Sequence, residues 1–373
     1  MKQYEEVFFS LVRAALWDTP VEIPDSFSDW GKVVKVAQSQ TVVGLAGNVL
    51  LSAPSMYSLL PEQLVASLRK SIRSNILLHT VLNNTLVQVV SALREHGIES
   101  VLLKGQGIAC NYPVPELRQC GDIDLYVGQE NYAKAYDILA PISAEIDDKS
   151  TLETGKHFHV RIGVVIIEIH RYACVYSDDK LNVTLQKYIN EGLSNNLRVM
   201  DFGGTSVNVP ADGFNVFYVF NHLWGHFMDG GIGLRQFCDW MMLIRSRCKN
   251  ISEDYLAVIL KDLNLLEPWK ALGCVLTDYL GLPSDEFPLY DPKMKQYADR
   301  IVVRVLTDGN FGRNSDMGRE RTNNYLYEKF ISLKYHILRY VSLFKIFPSH
   351  TIKELLYVLD RGFKKVYDDL IKK

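Results

Sequence analysis

At Ile98 the chain changes period. Before it, apolar residues recur at helical spacing through Val65, Leu68, Ile72, Ile76, Leu77, Val81, Leu86, Val89, Val90 and Leu93. Leu60-Pro61-Glu62 opens this run, since proline's missing N–H costs nothing in a first helical turn, and Gly97 closes it by allowing the left-handed conformation past a helix end. A run this long predicts two helices or one bent helix, with Asn83-Asn84 as the weak point. After Ile98 come short β-like runs: 100–103, 122–127, 158–162, 164–170, 197–202 and 205–209. Helical segments lie between them at 107–112 and 131–139, and Gly163 and Gly203-Gly204 read as hairpin turns. Beyond Pro210 the helical period returns over 212–228, 234–247, 253–263 and 268–280. The fold class that follows is α+β, a small mixed sheet flanked by N-terminal and C-terminal helical regions. At 373 residues the boundaries fall at 1–75, 76–210 and 211–373.

In the last third, Thr351-Ile-Lys-Glu354 reads as a capping box opening the final helix. Asp308 to Asn324, with Gly309, Gly312, Gly318, Arg313, Arg319 and Arg321, reads as a mobile polar loop. Phe330 to Phe347 is aromatic and mildly basic; at helical spacing such a stripe predicts a core-packed amphipathic helix rather than a membrane-surface one.

Charge narrows the function classes. Lys and Arg total 41 against 43 Asp and Glu, a net charge of −2. Nucleic-acid coats and polybasic membrane binders depend on a large positive field, so neither a stable nucleic-acid partner nor a membrane partner is expected. Six cysteines without a C-x-x-C pair write neither a zinc ribbon nor a disulfide framework. An acidic start and the lack of any apolar run near the ~18 residues of a membrane span predict a cytoplasmic protein.

Chemistry concentrates in Gly121-Asp122-Ile-Asp124-Leu-Tyr-Val127. In a strand Asp122 and Asp124 project from one face, about 7 Å apart, and repel each other unless a cation sits between them. Hard oxygen ligands of this kind suit Mg²⁺, or Mn²⁺. Relief of that repulsion predicts that Asn at either position leaves the fold no less stable. The bland reading is an acidic strand that keeps a sheet edge soluble. Upstream, Val101-Leu-Leu-Lys104-Gly105-Gln106-Gly107 is a strand running into a glycine turn, which aims backbone N–H groups and a lysine at one point and suits a phosphate. Downstream, Glu168 interrupts an apolar strand with His170 on its face; a carboxylate there is costly unless paired or bound to a metal.

Two further histidine pairs stand out. If the hairpin turns at Ile162-Gly163, His157 lies opposite Glu168, with His159 on the same face; the bland reading is a wetted rim. His222 and His226 share a helix face at i, i+4, but the residues between them lack the glutamate of H-E-x-x-H, so zinc is disfavoured. Together with Arg235 and Asp239 they predict the second wall of a cleft, contacting nucleotide or acceptor. The bland alternative is an Arg235–Asp239 pair within one helix.

The ordered set Leu103-Lys104-Gly105, Tyr112-Pro113, Arg118, Asp122-Ile-Asp124 and Glu168-Ile-His170 resembles the uncharacterised nucleotidyltransferase family of the polymerase-β-type superfamily. The resemblance runs from about residue 75 to about 245 and takes in His222-x-x-x-His226 and Leu234-Arg235-x-x-x-Asp239. It implies a nucleotidyltransferase core at 76–210, with attack by an acceptor hydroxyl on the α-phosphate of a nucleoside triphosphate. Asp122, Asp124 and Glu168 are then the catalytic and metal-binding acids, and Lys104 and Arg118 reach triphosphate oxygens. Lys104-Gly105 stands where that superfamily usually has Gly-Ser, and sixteen residues separate Gly105 from Asp122, a longer interval than usual. The acceptor class stays open among small molecules, sugars and proteins. The alternative reading is a catalytically inactive nucleotide-binding or regulatory module of the same fold.

Overall fold

The computed structural model describes residues 1–312 and 325–357. The helical period of the first hundred residues resolves into α1 (Gln3–Trp17), α2 (Trp30–Ser39), α3 (Val43–Ser52), α4 (Pro54–Tyr57) and α5 (Glu62–Glu95). α5 is one continuous helix of 34 residues, not two. Asn83 does not break it, because its side-chain oxygen accepts a hydrogen bond from Gln106 Nε2 at 2.5 Å. An 18-residue window of α5 also reaches a mean hydropathy of 1.5, enough to cross a membrane by length and composition alone, contrary to the sequence expectation. Leu82, Leu86, Val89, Val90 and Leu93 of this helix are buried against the sheet, as in the core helix of a folded domain.

The β-like runs become β1 (Val101–Leu102), β2 (Ile123–Tyr126), β4 (His157–Ile162), β5 (Val165–His170), β6 (Arg198–Phe202) and β7 (Thr205–Val209), joined by an unexpected two-residue β3 (Glu145–Ile146). They form one mixed sheet in the order β3-β4-β5-β2-β1-β7-β6. β2 runs parallel to β5 and β1 parallel to β7, while the other neighbours are antiparallel. Between strands lie α6 (Gln106–Ala109), α7 (Gly128–Leu139), α8 (Thr151–Thr154) and α9 (Asp179–Ser194). After the sheet come α10 (Asp212–Asp229), α11 (Leu234–Arg247), α12 (Glu253–Asp262), α13 (Leu266–Asp278), α14 (Lys295–Asp308) and α15 (Tyr325–Leu343). A final helix is already under way at residue 348, so Thr351 sits in its first turn. Its hydroxyl donates back to the Phe347 carbonyl, which replaces the expected capping box at Thr351.

Strand alternation divides the sheet between two cores. Leu102, Ile123, Leu125, Ile167 and Ile169 face α5 and α7 in one. Val101 and Leu103 enter the other, where α1–α3 pack with α10–α14, so the two ends of the chain share a single apolar interior. Cross-chain bonds tie those ends: Trp17 Nε1 donates to the Leu280 carbonyl, and Gln40 accepts from the Leu234 N–H while donating to the Val305 carbonyl. α15 is clamped by Arg339, which is 1% exposed and donates to the Phe227 and Met228 carbonyls at the end of α10 and to Asp308. Tyr340 and Leu343 of α15 are buried, in keeping with a core-packed helix, while Leu338 and Val341 remain exposed. Asp308, taken from sequence as the start of a polar loop, is buried between Arg304 and Arg339; residues 313–324 lie outside the described residues.

Candidate active site on the polar face of the sheet

Period two in β2 sends Ile123 and Leu125 into the core with α5 and α7, and Asp124 to the opposite face. Parallel pairing sets Asp124 beside Glu168 and Tyr126 beside His170. Like charges side by side in a sheet destabilise it unless cations intervene, and two do. Lys104 Nζ lies 3.0 Å and His170 Nε2 3.1 Å from Asp124 Oδ1. His170 Nε2 also lies 3.3 Å from Glu168 Oε2.

Lys104 reaches this point because the chain turns sharply after β1. Gly105 takes φ +60°, and a Cβ there would meet the Asp122 carbonyl oxygen at 3.3 Å, so the glycine turn and the acidic strand are packed together. Beneath the turn the buried Gln106 joins Asn83 and His79 of α5. His79 was not singled out from sequence and Asn83 was read only as a weak point of the helix; a polar residue directly after the glycine turn was the signal for the network. Lys104 Nζ also lies 3.3 Å from His222 Nε2, which lies 3.1 Å from His226 Nε2. α10 therefore brings its histidine pair to Lys104.

The charges settle accordingly. Burial works against the Asp124 carboxylate, but Lys104 and then His170 drive its pKa well below the ordinary range. Glu168 is likewise held at about 2: burial opposes ionisation, and the bond from His170 together with the charges of His157 and His170 outweighs it. Burial disfavours the charged forms of Lys104 and His170 too, yet the carboxylates around them raise both. Asp122 is exposed as a residue, but partial removal of its carboxyl from water, with Asp124 beside it, raises its pKa. Burial lowers His157 and His226 to about 4 and pushes His222 well below the ordinary value, so these imidazoles are neutral at neutral pH.

The β4–β5 hairpin corrects one register. Its loop is Gly163-Val164, with Ile162 paired to Val165, so His159 lies opposite Glu168 and His157 opposite His170. His159 Nε2 is 3.4 Å from Glu168 Oε1, and its Nδ1 lies 2.8 Å from Asp147 Oδ2, a partner that carried no motif in the sequence. Both histidines lie against the glutamate; His157 is largely covered, while His159, its side chain 45% exposed, also keeps the rim position.

Arg118 and Asp239 go elsewhere. Arg118 Nε and Nη2 bond the two Asp239 oxygens at 2.7 and 2.8 Å, Tyr112 donates to the same carboxylate at 2.7 Å, and Arg118 is 5% exposed. A guanidinium so engaged is not available to a triphosphate, and Asp239 is not available to a nucleotide or acceptor. Arg235 does not pair with Asp239 but donates to the Gln119 carbonyl. These three residues fasten α11 to the segment that leads into β2.

Asp122, Asp124 and Glu168 carry the hard oxygens that a divalent ion favours, and the three carboxylates outnumber the two cations, Lys104 and His170. Beside Glu168, His157 Nδ1 is buried without a hydrogen-bond partner, 3.7 Å from Glu168 Oε2. Among the described residues, the donor atoms of His157, Glu168 and His170 converge within 4.8 Å of one another, so the group that fits a metal ion joins Glu168 to two imidazoles.

The family model described as an uncharacterised nucleotidyltransferase matches residues 26–281. Among solved structures the chain is similar to an antigenic nucleotidyltransferase-like protein from Paracoccidioides brasiliensis, at 14% identity and a TM-score of 0.31, over 45% of this chain and 76% of that one. No curated protein matches it. The matched stretch extends past both ends of the sequence resemblance, into the helices of the shared interior. It covers more than half of the 373 residues, and the chain belongs to the uncharacterised nucleotidyltransferase family.

Proposed function

We propose that the protein is a divalent-metal-dependent nucleotidyltransferase, moving a nucleoside monophosphate from a nucleoside triphosphate to a hydroxyl of an acceptor. The observation that carries this reading is the parallel β2–β5 register, which sets Asp124 beside Glu168 next to the Lys104-Gly105 turn. Asp122, Asp124 and Glu168 would hold Mg²⁺ or Mn²⁺, which when bound neutralises phosphate oxygens. Lys104 offers a point charge to the triphosphate. As phosphate oxygens arrive, Lys104 turns from Asp124 to them and leaves that carboxylate free. His170 stays between Asp124 and Glu168 and fixes both. Glu168, ionised, accepts a hydrogen bond from the acceptor hydroxyl and orients it for in-line attack. His222 and His226 line the acceptor side and, being neutral, add no charge against the incoming phosphates.

The same Lys104–Asp124 contact supports a second reading, a nucleotide-binding module without turnover, because a lysine already neutralises the carboxylate that would take the metal. One experiment separates the two. The protein is incubated with each labelled nucleoside triphosphate, Mg²⁺ or Mn²⁺ and a cell lysate, beside its Glu168→Gln variant. Label transfer that collapses in the variant while triphosphate binding persists supports the transferase. Triphosphate binding with no labelled product under any condition supports the inactive module.

A further inference from the structure

Glu168 is ringed by imidazoles to an extent that a simple metal-binding acid does not require. Its Oε2 lies 3.3 Å from His170 Nε2 and 3.7 Å from His157 Nδ1, and its Oε1 lies 3.4 Å from His159 Nε2. One donor atom each from His157, Glu168 and His170 fall within 4.8 Å of one another. The His157 and His170 rings stand 5.0 Å apart at an interplanar angle of 65°, so neither stacks across the space between them. A divalent ion bound at roughly 2.0–2.2 Å holds neighbouring ligand atoms about 3–4 Å apart. The two contacts of Glu168 are at that spacing, and the two imidazoles need only close from within 4.8 Å of each other. Two of the three side chains come from β5 and one from its antiparallel partner β4, so a hydrogen-bonded ladder holds them rather than a loop.

We propose that His157, Glu168 and His170 form a mixed imidazole–carboxylate site for a borderline divalent cation, Mn²⁺ or Zn²⁺ in preference to Mg²⁺. Mg²⁺ takes oxygen ligands and keeps its waters, whereas imidazole nitrogen suits transition ions. His159 is a positioning residue here. Asp147 holds its Nδ1, and the ring presents Nε2 to the other oxygen of Glu168, the kind of outer contact that orients a ligating carboxylate. Uptake of the ion requires His170 Nε2 to release the proton it shares with Asp124 and Glu168. That proton leaves to solvent, and Lys104 remains as the cation on Asp124. The inference deepens the transferase reading, with which it shares Glu168, but it concerns metal binding in the absence of any nucleotide.

The test titrates the full chain calorimetrically with Mn²⁺ alone and Mg²⁺ alone, and records pulsed electron paramagnetic resonance of the Mn²⁺-loaded protein. Tighter binding of Mn²⁺ than of Mg²⁺, with nitrogen coupling from imidazole in the spectrum, is the expected result. His157→Ala should weaken Mn²⁺ by about tenfold or more, while Asp122→Asn should keep the nitrogen signal. Mn²⁺ bound without nitrogen coupling, equal affinity for the two ions, or no uptake of either overturns the proposal. The wild-type spectrum decides even where His157→Ala fails to fold. Nitrogen-coupled Mn²⁺ in a protein that transfers no nucleotide would leave this site standing and remove the transferase reading. Transfer supported by Mg²⁺ with no nitrogen coupling would do the reverse.

Discussion

Asp124 is 2% exposed and takes both Lys104 and His170 on one oxygen, whereas Asp122, two residues earlier, is exposed and has a raised pKa. Substitution at the two positions should therefore diverge, contrary to the expectation from charge repulsion alone. Asp124→Asn strands Lys104 beside a neutral group in a largely buried place, and removal of one partner of a buried pair costs about 3–5 kcal/mol. Asp122→Asn removes a carboxylate that the folded state disfavours, so stability should hold or rise slightly. Urea denaturation of both variants without metal checks this; equal midpoints would show that Lys104 finds another partner at no cost. At this scale the D-x-D alternation, the lysine before the glycine turn and the glutamate in an apolar strand were all legible, because each is a local departure from strand composition. The Arg118–Asp239 lock was not. It joins residues 121 positions apart, and nothing local distinguishes a guanidinium reserved for a carboxylate from one reserved for a phosphate.

Among the elements, α3 approaches a neighbouring backbone closely at Gly44. A Cβ at Gly44 would stand 2.2 Å from the Leu117 carbonyl oxygen, in the segment that presents Arg118 to Asp239. Backbone cannot rotate aside as a side chain can, so Gly44→Ala should destabilise by about 3 kcal/mol, the upper part of the overpacking range. A thermal midpoint unchanged from wild type would show that α3 slides freely on that segment. Most elements were foreseeable from period and punctuation: α11 spans the segment expected, and β7 likewise. α9 was missed although Asp178 caps it and Leu185, Ile189 and Leu193 share its buried face; the exposed Val183 interrupts the apolar pattern that would have marked it. The hairpin register slipped by two residues because Gly163 and Val164 both belong to the loop. Two-residue β3 exists only by its pairing with β4, which no local signal encodes.

For the molecule as a whole, burial of neutral imidazoles makes stability depend on pH. His226 titrates near 6.5 in the unfolded chain and at about 4 when folded, and His222 is also lowered. Below about 6.5 the unfolded state takes up protons that the folded state refuses, so stability is full above that pH and falls as pH drops toward 4. His226 alone accounts for about 2 kcal/mol at pH 5. His170, whose pKa is raised, acts in the opposite sense, with stability present in acid and lost as pH rises through its folded value. With His157, His222 and His226 lowered against His170 raised, metal-free protein should show a falling denaturation midpoint from pH 7 to pH 5. A flat profile over that range would mean these histidines are hydrated in solution.

α5 contributes Val65 and Leu68 to the interior shared by the two chain ends, and Leu82 through Leu93 to the interior beneath the sheet. At 1.5 Å per residue its 34 residues make a rod about 51 Å long. A rod threaded through both interiors behaves as a girder. To swing one against the other about α5 would mean shearing backbone hydrogen bonds in mid-span. Two mechanical consequences follow. Heat should melt the protein in a single calorimetric transition, and two resolved peaks would show the girder yielding between its ends. Access to Asp124 and Glu168 then depends on movements as small as the sweep of one lysine side chain, with the frame around them held stiff.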